Sequence, residues 1–358
     1  GADTFTFVGA NLTALDTVDG GSGTDILTVT GASVLADADF TGITSVETFT
    51  GSNAALTMVL GAEAAEAGIK TVNLIDNSNV NSITLGAGFT AATTTVALNT
   101  NTDTIAAASY TGALTVTVIE DDLTAGNTIT GGTGADTLTI TFDGDVTDVL
   151  TEAEMANVTK IETIKTATNA VGSLALHDNN IAKAGSITIN AAKNTSAAFT
   201  LDGSAELDGT ITYVGGAGID TVTGGAKNDT IGGGAGADVI TGGKGTDALT
   251  GGAGADTFTF TAVNHSSGAT VDSITDYLTG TDKLAFTLDY SALVSGVTVV
   301  ADVTTAAAGT SALAATLTGN RGQAVYDTTN SVLNVNVNND NLMTSLDYQV
   351  GIGAASTA

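Results

Sequence analysis

Residues 215–259 read GGAGIDTVT-GGAKNDTIG-GGAGADVIT-GGKGTDALT-GGAGADTFT, five nonapeptides that follow one another without a gap. Each fits G-G-x-G-x-D-x-U-x, with U taken by Val222, Ile231, Ile240, Leu249 and Phe258. The one departure is Lys227, which stands where the third glycine belongs. Paired glycines give a turn whose backbone reaches φ > 0 at no steric cost, and U is the inward-facing position of a short strand. Strand, turn, strand, turn closes a flattened coil of two repeats, so the turns of alternate repeats lie over one another at the ~4.8 Å spacing of paired strands. Asp220, Asp238 and Asp256 then stack along one edge, and Asp229 and Asp247 along the other. The pattern predicts an all-β chain: a parallel β-roll (β-solenoid) at 215–259, further β-rich solenoid-like modules, and few short helices.

Two carboxylates about 4.8 Å apart repel by roughly 1 kcal/mol in water and about 3.5 kcal/mol at an effective dielectric constant of 20. A cation midway between them would lie about 2.4 Å from each, within the Ca–O range and beyond the shorter bonds that Mg²⁺ prefers. The turns add carbonyl oxygens, which suit a hard ion wanting six to eight ligands. Ca²⁺ is therefore the expected cofactor. Its ligands would be Asp220, Asp229, Asp238, Asp247 and Asp256, in turns that contain Gly216, Gly218, Gly225, Gly234, Gly236, Gly243, Gly245, Gly252 and Gly254. Two gaps on the first edge and one on the second predict three internal ions, with Asp238 serving two and Asp247 one. Asp148, outside any repeat, is expected to matter little.

Single copies of the unit stand at Gly20 (GGSGTDILT) and Gly131 (GGTGADTLT). Each is followed by a similar phrase, ITSVETF from Ile43 and VTKIETI from Val158. Residues 20–130 and 131–214 therefore read as diverged copies of one module. For a lone GGxGxD, a plain tight turn and a metal site stand equally open, so Asp25 and Asp136 are secondary candidates. Asp272 and Asp276 in DSITDYLTGTDKLAF, after the array, join them. So does Asp3, in GADTFTF at Gly1–Phe7, a stretch that recurs at Gly254–Phe260. Residues 1–19 accordingly read as the tail of an upstream repeat, in a chain expected to begin inside a longer protein. Residues 260–358 read as a cap and C-terminal region, with a strand expected in SVLNVNVN. TEAEMANV from Thr151, with Glu154 three residues after a Thr N-cap, and AEAAEAG from Ala62 predict short helices.

Composition narrows the function classes. The chain of 358 residues carries 38 Asp plus Glu against 9 Lys plus Arg, a net charge of -29. No nucleic-acid partner is expected, because phosphate binding needs clustered cations. An excess of this size repels itself unless cations neutralise it. The 45 Gly, 4% aromatics and absence of Cys and Pro favour many short strands and tight turns without disulfides. No apolar run is long enough to insert into a membrane.

Catalytic constellations do not emerge. The two histidines, His177 and His265, form no H-E-x-x-H. NHSSG at Asn264–Gly268 lacks the first glycine of a nucleophile elbow around Ser266, and a loop between array and cap is the better reading. The chain is expected not to be an enzyme.

The nonapeptide array resembles the repeats-in-toxin (RTX) family of secreted bacterial proteins, whose repeats form a calcium-binding parallel β-roll. The resemblance implies that the sixth-position Asp and nearby turn carbonyls bind the ion. DSITDYLTGTDKLAF is similar to the cap that follows such arrays, and the region through AVYDTTNSVLNV resembles the part used for type I secretion, which puts the secretion machinery among the partners. The Thr- and Gly-rich body is similar to that of calcium-dependent surface-layer (S-layer) proteins. That likeness implies a structural extracellular protein at the cell surface, with copies of itself as lattice neighbours and cell-surface polysaccharide as a further partner. Two other readings stand open: the non-catalytic C-terminal portion of a secreted hydrolase, and an adhesin.

Overall fold

A computed structural model describes residues 1–52, 55–74, 79–91, 93–98, 102–144, 148–167, 171–261, 271–278, 280–288, 297–301, 323–327, 332–336 and 348–352. They fall into two compact units, Gly1–Thr168 with Asn179–Ala182, and Asn169–Asp178 with Lys183–Ala358.

The first unit is a parallel β-solenoid. Along one face the strands Thr4–Val8, Ile26–Thr30, Thr48–Ser52, Thr71–Leu74, Thr93–Ala97, Ala113–Ile119, Thr137–Thr141 and Thr163–Thr166 pair in parallel, each with the next coil. The register places Leu27, Phe49, Val72, Val96, Val116, Leu138 and Ile164 in one column, all buried. The opposite face stacks Met58, Ile83, Ile105, Ile129 and Val158 in the same way. Side chains alternate across each strand, so every second residue enters the core and the threonines between them face outward. Such columns supply most of the burial in a chain whose aromatics are only 4% of its residues.

Both predicted helices are present here. Ala62–Ala67 ends at Gly68, whose φ of +98° gives the left-handed residue that a helix C-terminus favours. Glu152–Met155 begins with the Glu154 carboxylate accepting the Thr151 N–H at 2.6 Å, one half of a capping box.

The second unit is also a parallel solenoid and contains the array. Its faces stack Ile189, Tyr213, Ile231, Leu249 and Ile274 against Leu174, Leu201, Val222, Ile240, Phe258 and Leu284. All five U residues are completely buried. Thr212 pairs with Thr230, Thr230 with Ala248, and Thr221 with Val239, so each coil spans two repeats, as the nonapeptide period requires. Beyond the array, Lys283–Leu288 pairs antiparallel with Val297–Ala301, and Gln323–Asp327, Val332–Asn336 and Tyr348–Ile352 pair antiparallel in turn. The strand expected in SVLNVNVN is therefore present at Val332–Asn336.

Candidate metal centre

The aspartates of the array form two buried ladders, and the sense of each ladder is set by backbone hydrogen bonds. On one edge, Asp220 Oδ1 accepts the Phe199 N–H, Asp238 Oδ1 the Asp220 N–H, Asp256 Oδ1 the Asp238 N–H, and Asp282 Oδ1 the Asp256 N–H, at 2.8–3.0 Å. On the other, Asp229 receives from Ile211, Asp247 from Asp229, and Asp272 from Asp247, at 2.7–2.9 Å. Each carboxylate thus reaches back one coil and holds the N–H that starts the strand before it. A charge-assisted bond of this kind contributes about 1.5–3 kcal/mol when buried.

Two expectations need correction. The stacked carboxylates do not face one another symmetrically across a midpoint, because one oxygen of each is committed to a backbone N–H. Both edges also run on past the array, through Asp272 and Asp282, so Asp247 has a neighbour on either side, as Asp238 does, and does not end its edge.

What remains for a cation is the second oxygen. For Asp25, Asp238, Asp247 and Asp256 this Oδ2 is buried and accepts no hydrogen bond. In these four turns the glycines at the second and fourth positions both have positive φ: Gly21 and Gly23, Gly234 and Gly236, Gly243 and Gly245, Gly252 and Gly254. The other three turns differ. Gly132, Gly216 and Gly225 are not in the positive-φ region, and their N–H groups donate to Oδ2 of Asp136, Asp220 and Asp229. Asp220 Oδ2 accepts the Tyr213 hydroxyl as well, at 3.0 Å. Turning the second peptide over removes the internal donor and leaves an open buried anion. Lys227 sits in one of the self-satisfied turns at an ordinary φ, which is why a side chain is tolerated there.

Glycine is required at the first position for a separate reason. A Cβ on Gly224, Gly233, Gly242 or Gly251 would run into the carboxylate of its own repeat. At the second and fourth positions it would strike the carbonyl oxygen of the turn one coil earlier, as Gly234 does with Gly216 and Gly254 with Gly236. Carboxylate, carbonyls and backbone are packed with no room for methyl groups.

The electrostatics follow from that packing. Burial pushes the carboxyl groups of Asp229 and Asp238 up to about 6 and that of Asp247 up to about 7, with the charges of Glu206, of Asp220 and Asp256, and of Asp229 adding respectively. Asp220, Asp256 and Asp136 are raised by burial too. Open buried carboxylate oxygens, a hard all-oxygen donor set and carbonyls stacked over glycine fit Ca²⁺. When bound, the ion supplies the positive charge that these buried anions lack.

The secondary candidates sort clearly. Asp25 accepts the Asp3 N–H, whereas the Asp3 side chain is 59% exposed. Asp136 accepts the Leu114 N–H. Asp276 caps the last repeat, its two oxygens accepting from Gly251 and Gly252. Residues not foreseen also take part. Glu47 and Glu162 accept the N–H groups of Asp25 and Asp136, continuing the ladder where no glycine pair marks it. These are the glutamates of the two repeated phrases, and Ser45 and Lys160 within those phrases turn at φ of +57° and +55° to lay their carbonyls over Gly20 and Gly131. Glu206, completely buried, holds the Asp208 and Gly209 N–H groups with Oε1 and leaves Oε2 open. Asp148, expected to matter little because it lies outside any repeat, is buried, at 5% exposed. His265 and Ser266 lie outside the described residues.

The RTX calcium-binding nonapeptide repeat family matches this chain in four copies, at residues 15–29, 124–139, 214–249 and 227–258. The chain therefore carries RTX repeats, and their ion is Ca²⁺. No curated protein matches the chain.

Proposed function

We propose that this is a structural extracellular protein that folds on meeting Ca²⁺ and assembles with copies of itself into a bacterial surface layer after type I secretion. RTX repeats support the coarser part, a secreted calcium-binding protein. Among the described residues no helix is long and apolar enough to cross a membrane.

The observation that carries the reading is the carboxylate ladder with open, fully buried oxygens at Asp238, Asp247 and Asp256, which recurs outside the array at Asp25. Buried anions of raised pKa oppose folding at neutral pH until a cation compensates them. Cytosolic Ca²⁺ is too dilute to fill sites of the extracellular class, with dissociation constants of about 10⁻⁴–10⁻³ M. The chain thus stays extended for export and folds outside, where binding free energy becomes folding free energy. The described coils of the body use the same acid capping as the array, through Glu47 and Glu162, which is in keeping with a lattice protein. Lattice neighbours, the secretion machinery and a surface polysaccharide are the partners this role calls for. Negative-stain microscopy of the purified protein tests it: ordered sheets with millimolar CaCl₂ and none in EDTA are expected, and persistent monomers in CaCl₂ would refute it.

A further inference from the structure

Outside the repeats, in the first unit, three carboxylates converge. Glu120 opens the single turn Glu120–Asp122 that follows the strand Ala113–Ile119, and Asp148 immediately precedes the strand Val149–Leu150. Asp143 lies in the intervening segment, on the solvent side. One oxygen from each of Glu120, Asp143 and Asp148 lies within 4.8 Å of the others. Glu120 is 2% exposed, yet neither of its carboxylate oxygens has a hydrogen-bond partner; Asp148 is 5% exposed and its Oδ1 has none. Asp148 Oδ2 accepts the Gly144 N–H at 2.9 Å, and Gly144 has a φ of +92°.

Leaving both oxygens of a buried carboxylate unpaired costs several kcal/mol unless a positive charge meets them. Among the described residues no Lys or Arg does so. Burial, with the nearby charges of Asp148 and Asp121, pushes Glu120 up to about 7. Two oxygens on opposite sides of one Ca²⁺ are about 4.8 Å apart and adjacent ones are closer, so the cluster has the dimensions of a single coordination sphere.

We infer that Glu120, Asp143 and Asp148 form a second kind of calcium site, one that ties Asp143 and Asp148 to the Glu120 turn. It uses none of the glycine-pair geometry of the repeats and does not depend on the surface-layer reading. Bound Ca²⁺ joins two buried anions to one exposed one, so the exposed ligand can be altered without touching the core.

The test is ion counting by native mass spectrometry on the full chain, stripped with EDTA and refilled with CaCl₂. Glu120→Gln and Asp143→Asn should each bind one calcium ion fewer than the parent, while Asp247→Asn lowers the count independently of them. Asp143 is exposed, so its variant reports on the site even if Glu120→Gln fails to fold. An unchanged count in a folded Asp143→Asn variant would overturn the inference and make the cluster a carboxyl pair sharing a proton.

Discussion

Replacing Asp238 by Asn should stabilise the calcium-free protein, leave the calcium-loaded one nearly unchanged, and so abolish most of the gain in stability that Ca²⁺ gives at this site. Asn keeps the Oδ1 that accepts the Asp220 N–H at 2.8 Å, so the ladder is intact and only the charge at the open position is lost. Without Ca²⁺ at pH 8, ionising a buried carboxyl held at about 6 against a usual 3.8 costs about 3 kcal/mol, which the amide relieves. With free Ca²⁺ at a hundred times the dissociation constant, site occupancy contributes about 2.7 kcal/mol, which the amide forfeits. Asp220 is the control: it lies one coil away on the same edge, but its Oδ2 is filled by the Tyr213 hydroxyl and the Gly216 N–H. Asp220→Asn should therefore change stability by the same amount in both buffers. Urea unfolding followed by circular dichroism, in about 10 mM CaCl₂ and in EDTA, gives both numbers. If wild-type protein is unfolded in EDTA, the gain appears as recovered β signal. An Asp238→Asn gain of the same size in both buffers, or equal calcium increments at Asp220 and Asp238, would refute the division into open and self-satisfied turns.

Three further outcomes follow from the same geometry. Asp229 and Asp238 sit at about 6 and Asp247 at about 7, above the 3.8 of the unfolded chain, so the calcium-free fold binds more protons than the unfolded chain between roughly pH 4 and 7. Its stability should fall as pH rises through that window, and the calcium midpoint of folding should therefore fall as pH drops from about 7 towards 4, both read by circular dichroism. Gly254→Ala, which drives a methyl into the Gly236 carbonyl, should prevent array folding, while Gly21→Ala, with a φ of +77° but open space around it, should cost only about 1 kcal/mol in a urea titration. Lys227→Gly should bind no additional calcium by calorimetry and should lose about 0.5–1 kcal/mol of stability, because that turn uses an ordinary φ and gains only chain entropy.

The array was legible because its period of nine fixes both which residues stack and which face inward: Val222, Ile231, Ile240, Leu249 and Phe258 all occupy the predicted core. Alternate repeats stack as the period requires. Elsewhere the coils have no constant length. Partners in successive coils are Ile26 and Thr48, Thr93 and Ala113, Thr137 and Thr163, so no single period carries the pattern. Glu47, Glu162 and Asp282 perform the same backbone capping as the array aspartates, but the glycine pair that flags the array is missing before them. The recurrence of VET and IET was a visible trace of this role, though nothing in the sequence states that its glutamate bonds an N–H one coil back. Which turns leave an oxygen open was not legible at all. It depends on the φ of the second glycine, and GGAG precedes both Asp220, which is satisfied, and Asp238 and Asp256, which are not.

Hydrogen exchange of the full chain in CaCl₂ and in EDTA tests calcium-dependent folding most directly. The Asp220, Asp229 and Asp238 amides are each held by the carboxylate of the following coil and report on the ladder itself. Peptides spanning 215–260 should be strongly protected with calcium and exchange at nearly unfolded rates without it at pH 8. Equal protection in both buffers would show that the array folds without its ion.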